Sequence, residues 1–207
     1  GDLHGLNTKE YQPLKIAAIE GLWETTKGAP LVLFGIPNSE KEVNHASVEI
    51  PKLGSLILTH ASDGEIIGLK DYAKKDRPNI TVIFYSFRIM VGVGLWLTLL
   101  GLVGAFLAYK KKLLNNVLFL RFSVLSLPFG FIATISGWIV AEAGRQPWVV
   151  YEIIRTVDVL LNITHQQAIH SLTLLGIVYG MTCLGFIYAL WRILKQGPDT
   201  NPYPLIS

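Results

Sequence analysis

Residues 89–109 read Ile-Met-Val-Gly-Val-Gly-Leu-Trp-Leu-Thr-Leu-Leu-Gly-Leu-Val-Gly-Ala-Phe-Leu-Ala-Tyr, without one charged side chain. A helix needs roughly 20 apolar residues to cross about 30 Å of hydrocarbon, and this stretch supplies them. Two more uncharged stretches follow, Phe122 to Ala141 and Val159 to Trp191. Strands are the poorer reading, because a membrane barrel needs many short alternating segments. The pattern predicts three transmembrane helices, near 82–109, 120–142 and 169–193, in an all-α integral membrane protein.

Working outward from these spans, the charge lies mostly in residues 1–80. The chain of 207 residues is 51% hydrophobic and 16% charged, below the roughly 25% charged of soluble domains. The expected organisation is an outward-facing module over 1–80, a membrane domain over 81–195 and an inward tail over 196–207. The net charge of +3 forms no basic stripe, so nucleic acid is not an expected partner and the lipid bilayer is. The single cysteine, Cys183, lies within an apolar run and offers neither a disulfide framework nor a cysteine-based metal site. The chain begins at Gly1 with a polar stretch and no secretory pattern, which leads us to expect a piece of a longer or split polypeptide.

Lysine and arginine near span ends set orientation. Lys110, Lys111, Lys112 and Arg121 follow the first span, and Arg192 and Lys195 close the third. Both groups belong on the cytoplasmic side, which turns residues 1–80 and the loop near 143–166 outward. Lys74, Lys75 and Arg77 pull the other way. Within 1–80, Pro13 suits the first turn of a helix, which Lys15 to Glu20 continue to about Glu24, with Gly28 and Pro30 ending it. The remaining glycines and prolines predict compact irregular structure.

Ionisable groups at membrane depth cost about 2.5–3.5 kcal/mol or more. Arg88 stands just inside the first span, and Glu142 ends the second, with Arg145 three residues on. One reading has both arginines snorkelling and Glu142 pairing with Arg145. The other gathers three charges at one depth into a shared site. Trp138, four residues before Glu142, points the same way or is an interfacial aromatic. Met90 is ordinary packing or a thioether ligand of haem iron opposite a histidine. Two guanidinium forks at that depth suit haem propionates. His165 and His170 lie five apart, about 140° around a helix, a poor geometry for one metal. His4, His45 and His60 read as surface or turn histidines.

Several segments carry a resemblance. Gly1-Asp2-Leu3-His4-Gly5, then Gln12 to Glu20, then Leu33-Phe34-Gly35-Ile36-Pro37 resemble the outward quinol-binding loop of subunit I of the cytochrome bd-type quinol oxidases. Phe87-Arg88-Ile89-Met90 is similar to that family's haem-ligand segment. Trp138 with Ala141-Glu142-Ala143-Gly144-Arg145-Gln146-Pro147-Trp148 resembles its second hallmark. The match runs in order over nearly the whole chain.

The resemblance implies roles. Lys15 and Glu20 correspond to residues of quinol binding and oxidation. Met90 corresponds to an axial ligand of the low-spin haem b, with Arg88 and Arg145 near its propionates. Glu142 corresponds to the ligand of the high-spin haem b, with Trp138 beside it. The third haem is d or another b. The implied activity is quinol oxidation at the outer face and oxygen reduction to water, generating proton motive force in a bacterial inner (cytoplasmic) membrane. The implied partners are the N-terminal half of subunit I, which carries the histidine ligands, and subunit II, in a larger helical bundle. The short stretch between Gly68 and the first span resembles the short-loop branch, which includes cyanide-insensitive members. The competing expectation is a non-catalytic membrane scaffold or transporter fragment whose charges are structural.

Overall fold

The computed structural model describes residues 2–160 and 164–197. The expected inward tail lies outside the described residues from position 198 onward. The chain divides into two compact units, the first ending at Asp158 and the second beginning at Val159.

The first unit opens with helices α1 (Asp2–Tyr11) and α2 (Pro13–Glu20). Pro13 stands in the first turn of α2, where its missing N–H costs nothing. The helix stops at Glu20, four residues before the expected end. Gly21 adopts φ 69°, a left-handed cap that returns its N–H to Ala17 O. A Cβ on Gly21 would stand 2.8 Å from the Phe84 ring, so packing as well as backbone conformation requires glycine there.

The irregular structure expected for the rest of 1–80 is organised by short strands. β1 (Thr26–Lys27) pairs antiparallel with β4 (Glu65–Ile66). β2 (Leu31–Asn38) and β3 (Val43–Ile50) form a hairpin, and helix α3 (Leu53–Thr59) follows. Asn38 closes the hairpin turn by accepting from the N–H groups of Glu40 and Lys41, both at 3.0 Å. Trp23 Nε1 donates to Asn44 Oδ1 at 2.9 Å, and Asn44 Nδ2 donates to Gly21 O at 2.9 Å, which fastens β3 to the end of α2.

Helix α4 (Ile80–Tyr109) is the first span. Asn79 caps it by accepting from Val82 N at 3.2 Å. The second span is broken into α5 (Val117–Leu125) and α6 (Phe129–Ala143), where one helix over 120–142 was expected. Pro128 gives the reason: it lacks an N–H, and its ring clashes with the preceding turn. Trp96 of α4 donates to Ser126 Oγ at 2.8 Å and so anchors the break.

The core joins α2 to the first turns of α4. Leu14, Ala17, Ala18, Ile19 and Trp23 pack with Leu69, Ile80, Ile83 and Val140. Beyond Arg88 the large apolar side chains of α4 turn outward, as Leu95, Leu99, Leu102 and Phe106 do. After α6, β5 (Trp148–Val150) and β6 (Ile154–Arg155) form a small hairpin, and helix α7 (Thr156–Leu160) follows. Arg155 ion-pairs with Asp76 and stacks 4.7 Å over the Trp148 ring, tying this hairpin to the segment before α4.

In the second unit, α8 (His165–Gln196) is the third span. Thr164 and Gln167 form a capping box at its start, four residues ahead of the expected boundary. The described residues are thus mostly helical, with three helical segments among them long and apolar enough to cross a membrane.

Candidate functional site

Helix α2 carries Lys15 and Glu20 at opposite ends, and the two ends meet different spans. Glu20 ends the helix in the core, 7% exposed, and its Oε2 has no hydrogen-bond partner among the described residues. Burial pushes its carboxyl up to about 7, although the nearby Arg88 charge pulls the other way. A group with that value exchanges protons at neutral pH, which an ordinary surface glutamate does not.

Arg88 reaches back from α4 to the same end of α2. Its Nη1 donates to Ile19 O at 2.8 Å and to Phe84 O at 3.0 Å, and its Nη2 donates to Val32 O. The guanidinium carbon lies 3.2 Å from the centroid of the Phe84 ring. Nε is buried and has no hydrogen-bond partner among the described residues.

Lys15 grips the other span. Its Nζ donates to Ala141 O at 3.3 Å and more weakly to Gln12 Oε1 at 3.5 Å. The ammonium thus sits at the C-terminal turn of α6, where unpaired carbonyls favour a cation. Burial and the Arg145 charge lower its pKa, and Glu142 raises it. Gly144 makes room: a Cβ there would stand 2.8 Å from Lys15 Cγ. Glu142, Arg145 and Trp138 are exposed around this end of α6.

Met90 lies two residues beyond Arg88 and is partly buried. Its Sδ lies against Gly137 of α6, 2.9 Å from where a Cβ on that glycine would be. Helices α4 and α6 thus bring Met90 next to the residue preceding Trp138. His165 and His170 are both exposed on α8.

These groups fit haem chemistry. A thioether stands in a notch that a single Cβ would fill, and a carboxylate, an indole and an arginine are exposed at the end of the adjacent helix. Reasoning from sequence missed the two glycines, 137 and 144, that make this packing possible. Gly144 follows Glu142 at the C-cap of α6 and Gly137 immediately precedes Trp138, so the signal was a glycine close to a candidate site residue. It also missed the capture of Ile19 and Val32 carbonyls by Arg88, because no local pattern records a contact across 69 or 56 residues.

The arrangement defines a class: a membrane-embedded subunit in which a folded N-terminal segment is fastened to the ends of two spans. The family profile of cytochrome bd terminal oxidase subunit I matches residues 1–198. The chain belongs to that family. It is 31% identical over 210 residues to cytochrome bd ubiquinol oxidase subunit 1 of Bacillus subtilis, covering 96% of this chain and 45% of that protein. It is 33% identical over 192 residues to a putative cytochrome bd menaquinol oxidase subunit I of the same organism, covering 91% of this chain and 42% of that one. The solved bd oxidase of Geobacillus thermodenitrificans matches with a TM-score of 0.75 at 30% identity, over 96% of this chain and 45% of that one. The chain spans about half the length of these relatives.

Proposed function

We propose that this chain forms the quinol-facing and haem-ligating part of a bd-type oxidase, acting with a remaining N-terminal portion and a subunit II. The carrying observation is the junction at α2, where a buried Glu20 with a near-neutral pKa lies beside the α4 turn that leads to Met90. Membership in the oxidase family removes the reason to prefer a scaffold or a transporter.

In this reading residues 1–80 and the loop after α6 lie at the outer face of a bacterial inner membrane, in keeping with the basic cluster at 110–121. Lys15 fixes a quinol oxygen or the wall beside it, and Glu20 takes a proton from a quinol hydroxyl. Lys15 donates to a carbonyl of α6, whereas Glu20 is buried near Arg88 of α4, which supports separate roles for them. Met90 would ligate a low-spin haem b and Glu142 a high-spin haem b, with Arg88, Arg145 and Trp138 in the haem environment. A third haem, d or b, completes the set. When bound, the haems supply the one-electron chemistry that ends in oxygen reduction. The protein orients them and holds the proton at Glu20. A reduced-minus-oxidised visible spectrum of the purified complex containing this chain tests the reading. A low-spin b-type band reducible by quinol is expected, and a haem-free complex would contradict it.

A further inference from the structure

The side chain of Arg88 does a task that neither snorkelling nor a haem propionate explains. Three of its N–H groups are used on backbone carbonyls, and two of those carbonyls belong to the outer segment. Ile19 O lies in the last turn of α2, where helical carbonyls have no partner within the helix. Val32 O lies where the β2–β3 register shifts between Val32 and Phe34. One guanidinium therefore satisfies a helix end and a strand irregularity together. A lysine has no planar fork with which to do this. The ring of Phe84, fully buried, lies under the guanidinium and also packs near Gly21 and Gly35. The same two side chains of α4 thus hold α2 and β2.

We infer that Arg88 is a positioning residue that clamps the outer segment to α4, holding Glu20 at a fixed place relative to the turn that carries Met90. Any displacement of α2 at its C-terminal end must break the Ile19 contact, which is adjacent in sequence to Glu20. This side chain thereby helps to hold a quinol bound against Glu20 in place relative to Met90. The clamp itself stands on the fold, and only its consequence for quinol rests on the function proposed above.

The test compares Arg88→Lys and Arg88→Gln with the unaltered chain in the whole oxidase complex. Hydrogen–deuterium exchange reads amides at residues 19–22 and 32–35, and steady-state kinetics read quinol KM. The clamp predicts at least tenfold faster exchange in both segments for both variants. It also predicts a quinol KM raised about tenfold. Unchanged exchange with a shifted haem midpoint would overturn it and make Arg88 a propionate partner alone. Unchanged exchange and unchanged midpoint would overturn it as well. If the variant complexes fail to assemble, Phe84→Leu, which keeps the arginine and removes its ring support, is read by the same exchange, and protection equal to wild type refutes the clamp. Faster exchange in a complex that proves haem-free would retain the clamp while removing the proposed function.

Discussion

Helix α2 is held at both ends, and the two ends are built differently. At its C-terminal end Glu20 is buried, and Arg88 is tied to three carbonyls with its guanidinium over the buried Phe84 ring. At its N-terminal end Lys15 is half-buried, while Glu142, Arg145 and Trp138 are exposed. The closed end contains its own chemistry, because enclosure alone raises the Glu20 pKa. The open end presents exposed charged and aromatic groups. In the proposed reading, proton handling is built into the closed end, and the open end is completed by cofactor and partner.

The largest effect should come from breaking the closed end. Glu20→Gln keeps shape and removes the proton acceptor, so quinol oxidation should lose roughly 10²-fold in kcat, in the range general bases contribute. In the wild type, the rate should rise with pH through about 7 as Glu20 deprotonates, and the variant should lack that rise. A variant with wild-type kcat and an unchanged pH profile would take Glu20 out of the reaction.

A smaller effect is expected at the open end. Lys15→Ala should raise quinol KM by roughly 3–10-fold with kcat largely kept, the signature of lost uniform binding. A drop in kcat equal to that of Glu20→Gln would erase the distinction between the two ends.

Stability should separate them further. The folded pKa of Glu20 is raised above its ordinary value of 4.5 to about 7. Its contribution is therefore fully present below about pH 4.5 and is lost as pH rises to about 7, by roughly 3 kcal/mol. The thermal midpoint of the complex should fall between pH 5 and pH 8, and Glu20→Gln should flatten that fall. An equally steep fall in the variant would place the titrating group elsewhere.

The smallest effect on the fold belongs to Gly137→Ala. Its Cβ would meet only Met90 Sδ, the far part of a flexible side chain, so the helices should remain packed. The absorption of the low-spin haem should nevertheless shift as the sulfur is displaced. An unshifted spectrum would show that Gly137 does not define the place of that sulfur.

The three spans were legible because lipid imposes a one-dimensional rule: a charge-free run of sufficient length. The same rule hid the break at Pro128, since hydropathy is blind to a proline inside an apolar run. The candidate site residues stood out in the sequence as motifs. Their partnerships did not, because Arg88 with Ile19 and Lys15 with Ala141 join segments 69 and 126 residues apart. The end of α2 was misplaced because Leu22, Trp23 and Glu24 read as a continuation of the helix, whereas Gly21 at φ 69° is the left-handed cap that ends it. The β2–β3 hairpin was obscured by Gly35 and Pro37, which read as turn residues. In the structure they lie within β2.

The central claim is that Met90 is a haem ligand. Met90→Leu preserves volume and apolarity, so a merely packed methionine should tolerate it at under about 1.5 kcal/mol. The decisive measurement is the visible spectrum and redox titration of the intact complex carrying this change, with Met181→Leu in α8 as the control. The account predicts that the low-spin haem becomes high-spin, falls in potential or is lost, while the haem assigned to Glu142 persists and the Met181→Leu spectrum is unaltered. A normal low-spin haem at its normal potential in the Met90→Leu complex would contradict it.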